Sequence, residues 1–205
     1  GSEMCIRDSF GGAHMEGKPY CGGIYEGGMG HYDLINAGNT RFVFAYMGYQ
    51  PDEAAIRWLA SVFNQYPERV GVLAVHDYFK TDLSLYDSGR ALQKAVLAQC
   101  PNVYLVLSGH RYNVAAVPVS FDDDGDGTAE RTVYQMIANY QAAGSEGGSG
   151  YMRFLQIDEA AGELRAYSYS PYLEDYRYWD EPGTENEKYP VDPANEEITL
   201  PLPWA

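Results

Sequence analysis

The chain's hydrophobic pattern changes period as it goes. Residues 41–48 (RFVFAYMG) alternate and are aromatic, which predicts a strand. Residues 51–65 (PDEAAIRWLASVFNQ) place Ala55, Trp58, Leu59, Val62 and Phe63 at helical spacing on one face, behind a first turn of Pro51, Asp52 and Glu53. Residues 70–75 (VGVLAV) form a short, unbroken apolar run, the pattern of a strand buried on both faces. A second helical period covers 88–99, with Leu92, Ala95, Val96 and Gln99 on one face and Pro101-Asn102 as the stop. A second buried strand covers 103–107 (VYLVL). This strand–helix alternation predicts βαβ units in a parallel or mixed sheet. Residues 114–120, 131–140, 151–158 and 163–170 read as strands between turn-rich pieces and suit antiparallel pairing. The fold class expected is α/β grading into α+β.

The flanks lack such periods. Residues 10–40 carry the pairs Gly11-Gly12, Gly22-Gly23 and Gly27-Gly28 and read as a long loop with short extended pieces. Residues 1–9 (GSEMCIRDS) have no periodicity and resemble a tag or sequencing scar, so they are set aside from the fold. Residues 10–173 form the domain, and 174–205 an acidic, proline-containing tail that runs over the surface or is mobile.

Charge narrows the function. Acids outnumber bases 29 to 14, a net charge of −15, which repels nucleic acid and anionic membranes. No apolar run is long enough for a membrane-spanning helix. Cys5, Cys21 and Cys100 fit neither a disulfide framework nor a zinc pattern; they read as free thiols, with a Cys5–Cys21 bridge as the alternative. The serines stand in no nucleophile elbow, and the glycine run 144–150 lacks the Lys-Ser/Thr and helix of a P-loop.

His76 directly follows one buried strand and His110 nearly follows the next. Open α/β sheets place their chemistry beyond the carboxyl ends of the strands. Two imidazoles there can meet on one metal ion, or each can be an isolated loop residue. A catalytic zinc usually takes three protein ligands, and the nearby acids Asp77, Asp82 and Asp87 carry no pattern that marks a third.

The ordered segments VLAVHDYF, PNVYLVLSGHRYN, DDDGDGTAERTVYQMIANYQ, GGSGYMRFLQID and YSYSPYLEDY resemble the C-terminal half of calcineurin-like metallophosphoesterases of the secreted or cell-surface bacterial kind, over roughly residues 40–178. The resemblance implies a sandwich of mixed sheets flanked by helices. It implies two divalent transition metals (Mn, Fe or Zn) about 3.5–4 Å apart that activate water to attack phosphorus. It implies phosphomonoester or phosphodiester substrates and an extracytoplasmic location. His76 matches the family histidine that binds the second metal, and His110 the first histidine of Gly-His-x-His, which binds the same metal.

The sequence departs from the family twice. Position 112, where the second motif histidine belongs, holds Tyr112, a weak ligand while its phenol is neutral. The early Asp-x-His, Gly-Asp-x-x-Asp and Gly-Asn-His-Asp motifs are absent; His14 (GAHM) and His31 (GHYD) fit none of them. The chain is therefore expected to be an N-terminally truncated portion of a phosphoesterase, inactive alone, with an open sheet edge through which it self-associates. The alternative is a non-catalytic surface module of the same fold, stabilised by calcium.

Calcium is suggested by DDDGDG at 122–127. Asp122, Asp124 and Asp126 alternate before Gly127, like positions 1, 3, 5 and 6 of an EF-hand loop. Position 12 is Val133 and a strand follows, so the expectation is either a calcium-binding hairpin loop or a solvated acidic turn partly neutralised by Arg131. Tyr134, Tyr140, Tyr151, Tyr167, Tyr169 and Tyr172 read as strand packing, with a sugar- or nucleotide-stacking face as the alternative. Arg153 reads as pairing with a carboxylate, or as facing a phosphate.

Overall fold

The computed structural model describes residues 12–25, 28–141, 147–180 and 192–204, so residues 1–9 lie outside it. After a single helical turn, α1 (Gly12–Met15), come the strands β1 (Cys21–Ile24), β2 (Gly30–Ala37) and β3 (Thr40–Met47). Helix α2 (Glu53–Gln65) leads into β4 (Val70–Val75); helix α3 (Asp87–Leu92) widens into a π-turn over Gln93–Leu97 before β5 (Val103–Ser108). Then follow β6 (Asn113–Phe121), β7 (Arg131–Asn139), β8 (Met152–Asp158), β9 (Glu163–Tyr169) and β10 (Glu197–Pro201).

The large sheet has seven strands in the order β1-β2-β3-β4-β5-β7-β6. Its centre is parallel (β3, β4, β5, β7), with β1, β2 and β6 antiparallel to their neighbours. A second sheet of three antiparallel strands runs β10-β9-β8. Adjacent residues sort the layers. Val43, Leu73, Val106 and Val133 pack with Leu59, Val62 and Phe63 of α2 and with Leu92 and Val96. Their neighbours Phe42, Val72, Leu105 and Tyr134 pack instead with Leu164 and Leu202 of the small sheet. The result is an α+β sandwich: helices, large sheet, small sheet. No helix among the described residues is long and apolar enough to cross a membrane.

The periodic segments became the elements they predicted. Helix α2 starts two residues later than expected, at Glu53, because the Asp52 carboxylate accepts the Ala55 N–H at 2.8 Å as an N-cap. The loop expected over 10–40 is corrected: it contains β1 and β2. Strand β2 escaped notice because Gly30, His31, Asp33 and Asn36 dilute its apolar pattern; it exists because β3 pairs with it along its whole length. The two strands are joined by a two-residue turn, Gly38-Asn39, with Gly38 at φ +60°.

The tail is partly built into the fold. β10 pairs with β9, and Trp204 meets Phe42 edge-on at 5.8 Å. Arg153 has no carboxylate ion pair among the described residues: its terminal nitrogens donate to the carbonyls of Glu196 (2.6 Å) and Asn195 (2.7 Å), clasping the start of β10. The free cysteines include Cys21 and the buried Cys100; Cys5 lies outside the described residues.

Beside this clasp the Glu196 side chain is buried. Burial raises its pKa, and the nearby Arg153 only partly opposes that. A carboxyl with a raised folded pKa contributes its stability fully below its unfolded value of about 4.5 and loses it as pH rises through the folded value. Glu196→Gln removes that titration. The melting temperature of the variant, relative to the natural chain, is expected to climb as pH is raised from 4 to 7; a flat difference would contradict this account.

Candidate metal centre

Strands β4 and β5 run parallel and end side by side, so their carboxyl ends share one rim. His76 is the first residue beyond β4. Beyond β5 the chain is tied back: the Gly109 N–H donates to the His76 carbonyl at 3.2 Å, and the Arg111 N–H donates to the Gly109 carbonyl at 2.8 Å. The second bond closes a γ-turn centred on His110, whose φ is +66°. Such turns with positive φ are rare and strained, and non-glycine residues persist in them only where the surroundings enforce it. The turn brings His110 Nδ1 to 3.0 Å from His76 Nε2.

Electrostatics favours the neutral, ligand-competent imidazole. The pKa of His110 is lowered, first by burial and then by the neighbouring His76 and Arg111, with Asp77 opposing weakly. Asp77, one of the acids near the strand ends, does not face the pair. It is fully buried; Oδ1 accepts the Gln50 N–H at 3.0 Å and Oδ2 the Ser88 hydroxyl at 3.3 Å. This holds Gln50 at φ +48° and sets Tyr49 against both imidazoles, with ring centroids 5.6 Å from His76 and 5.2 Å from His110. Asp82 accepts from Ser84, and Asp87 pairs with Arg90; neither reaches the pair.

The histidines also line an open cleft of about 420 Å³, together with Asn139, Tyr140, Gly148 and Tyr151. Gly148 is required there: at φ +97°, a Cβ would stand 2.6 Å from the Tyr140 carbonyl oxygen. Tyr140 is tied from behind to Ser168 at 2.8 Å and Tyr151 to Asp175 at 2.6 Å, so both phenols serve the fold around the cleft. Tyr112 is half-buried and is not among the residues lining the cleft.

The acidic loop is a separate site. It joins the far ends of β6 and β7, while the histidines sit near Asn113 and Asn139. Nine-residue strands put the two about 27 Å apart. Asp122 accepts the N–H groups of Gly125 (2.6 Å) and Gly127 (2.8 Å), Asp124 that of Asp126, and Asp126 that of Thr128. Carboxylate oxygens of Asp122, Asp124, Asp126 and Glu130 lie within 4.8 Å of one another. Glu130 was not anticipated, although it occupies position 9 of the loop pattern. Arg131 neutralises part of the acidic turn, as expected, through Asp123 rather than through the four converging carboxylates. Buried, it grips Asp123 (2.7 Å) and the carbonyls of Leu97 and Val103, fastening the loop to the core.

Tyr49, Tyr86 and Arg111 around His110 were also missed. Arg111 adjoins His110 in sequence, but nothing local marks Tyr49 or Tyr86, which arrive from other connections.

No family model matches the chain. It is 37% identical over 180 residues to the uncharacterized protein YvnB of Bacillus subtilis (strain 168), an alignment that covers 88% of this chain and 14% of that protein. The chain therefore spans about one seventh of the length of that relative.

Replacing Asp77 by Ala would orphan the Gln50 N–H and the Ser88 hydroxyl, which should cost about 1–3 kcal/mol. Urea unfolding measures this, and Asp77→Asn, which keeps an acceptor, is expected to recover part of the loss.

Proposed function

We propose that this chain carries the two-imidazole part of a metal centre in a calcineurin-like metallophosphoesterase acting on phosphomonoesters or phosphodiesters, in an extracytoplasmic setting. The observation that carries the reading is the 3.0 Å approach of His76 Nε2 and His110 Nδ1 at the ends of adjacent parallel strands.

The donor set fits a shared cation. With metal–nitrogen bonds of about 2.1 Å, two ligands at a right angle stand about 3.0 Å apart, and two tetrahedral ligands about 3.4 Å. Manganese, iron and zinc all accept imidazole. Two nitrogens leave the ligand set open, and Asp77 is engaged with Gln50 and Ser88, so the remaining ligands are assigned to groups outside this segment. A divalent cation there would supply Lewis acidity, polarising the phosphoryl group and activating water. The chain's own residues do the positioning. The γ-turn aims His110, burial keeps it neutral, Asp77 and Gln50 hold Tyr49 at the rim, and the cleft gives the ester's organic group room. By itself the chain is expected to be inactive. The positions of β8 and β10 as the edge strands of the small sheet among the described residues support self-association of the isolated chain.

Titration of the chain with Mn²⁺ or Zn²⁺ tests the reading. His76→Ala and His110→Ala should each weaken binding by more than the roughly 10–100-fold typical of losing an outer partner of a ligand. Unchanged affinity in both variants would sink the proposal.

A second reading, a calcium-stabilised surface module, is favoured by the four converging carboxylates of Asp122, Asp124, Asp126 and Glu130. Calcium at about a hundred times its Kd would then stabilise the fold by about 2.7 kcal/mol. Thermal melts with and without calcium should show the gain in the natural chain and its loss in Asp124→Asn and Glu130→Gln.

A further inference from the structure

The charges around the histidine pair are unusual for so acidic a chain. With 29 acids to 14 bases, a guanidinium is expected to find a carboxylate. Arg57, Arg69, Arg90, Arg131, Arg165 and Arg177 each do, whereas Arg153 is taken up by backbone carbonyls and Arg41, like Arg111, has no ion pair among the described residues. Arg111, exposed and next in sequence to His110, has no carboxylate partner among the described residues.

Nor does its side chain wander. The Arg111 Nε–H donates to the Tyr86 hydroxyl, and the guanidinium carbon stands 5.7 Å from the centre of the Tyr86 ring. That ring lies 6.4 Å from the His110 ring. The backbone N–H of Arg111 closes the same γ-turn that aims His110, so one strained turn sets both side chains. Nε is occupied by Tyr86, whereas the terminal amino groups bond to no described residue. They form a planar fork on the residue next to His110.

We propose that Arg111, steadied by Tyr86, is the anion-binding residue of this site, its fork taking the non-bridging oxygens of a phosphate group presented to the histidine pair. The inference rests on the phosphoesterase reading and adds to it the group that recognises the substrate's charge. Arginine suits the task because its fork matches two phosphate oxygens at once, which lysine cannot do. A cation is also needed at this point, because a net charge of −15 otherwise repels an anionic substrate.

The test uses inorganic phosphate as the probe, measured by titration calorimetry on the full chain with and without Mn²⁺. Arg111→Ala is expected to weaken phosphate binding by about ten- to hundredfold, the loss of a hydrogen bond to a charged group. Arg111→Lys should fall between, keeping charge but not the fork. Tyr86→Phe should weaken binding less than Arg111→Ala. Mn²⁺ binding should be retained in all three, because both imidazoles remain. Phosphate affinity within twofold of the natural chain in Arg111→Ala overturns the proposal, as does a natural chain that binds no phosphate in either condition. If the chain takes up no Mn²⁺, the metal reading fails separately, and the metal-free titration decides the role of Arg111 by the same criterion.

Discussion

Strands β4 and β5 are covered on both faces, by helices on one side and the small sheet on the other, and that double burial determines where the chemistry can stand. A parallel pair buried in this way admits almost only apolar residues along its length. Polar side chains become affordable where the strands stop. Because β4 and β5 pair in parallel, they stop together, and His76 and His110 emerge on one rim. The clasp from Gly109 N–H to the His76 carbonyl then ties the two loop starts to each other rather than leaving them to diverge.

Local strain follows from that arrangement. A histidine at φ +66° is unfavourable by itself, and the γ-turn is held by the packed strand before it and by β6 after it. The same turn distributes two functions, one imidazole toward His76 and one guanidinium toward Tyr86. Asp77 plays the complementary part from within. Buried at the end of β4, it spends both oxygens on Gln50 and Ser88, and so joins the connections before α2 and at the start of α3 to the rim.

Charge is arranged in two separated zones. The acids of the β6–β7 loop gather at one end of that hairpin, fastened by the buried Arg131. The imidazoles and Arg111 occupy the other end. A separation of several Debye lengths' order keeps the two from acting on one another directly through solvent.

The sequence by itself determined the elements with clear periods: α2, β4, β5 and the strands β6 to β9, along with the positions of His76 and His110 after buried strands. Periodicity reports which faces are apolar, and burial follows from that. It could not report β2, whose polar residues are tolerated because β3 supplies its pairing, nor β10, whose five residues gain a partner only once β9 is in place. Resemblance put Tyr112 in a ligand's position, and the residue is half-buried just before β6. Tertiary structure alone decided that the two imidazoles touch, that Asp77 faces inward, that Glu130 joins the acidic cluster and that Tyr49 and Tyr86 border the site. Those facts depend on pairing and loop closure between residues far apart in the chain, where one-dimensional pattern carries no information about distance.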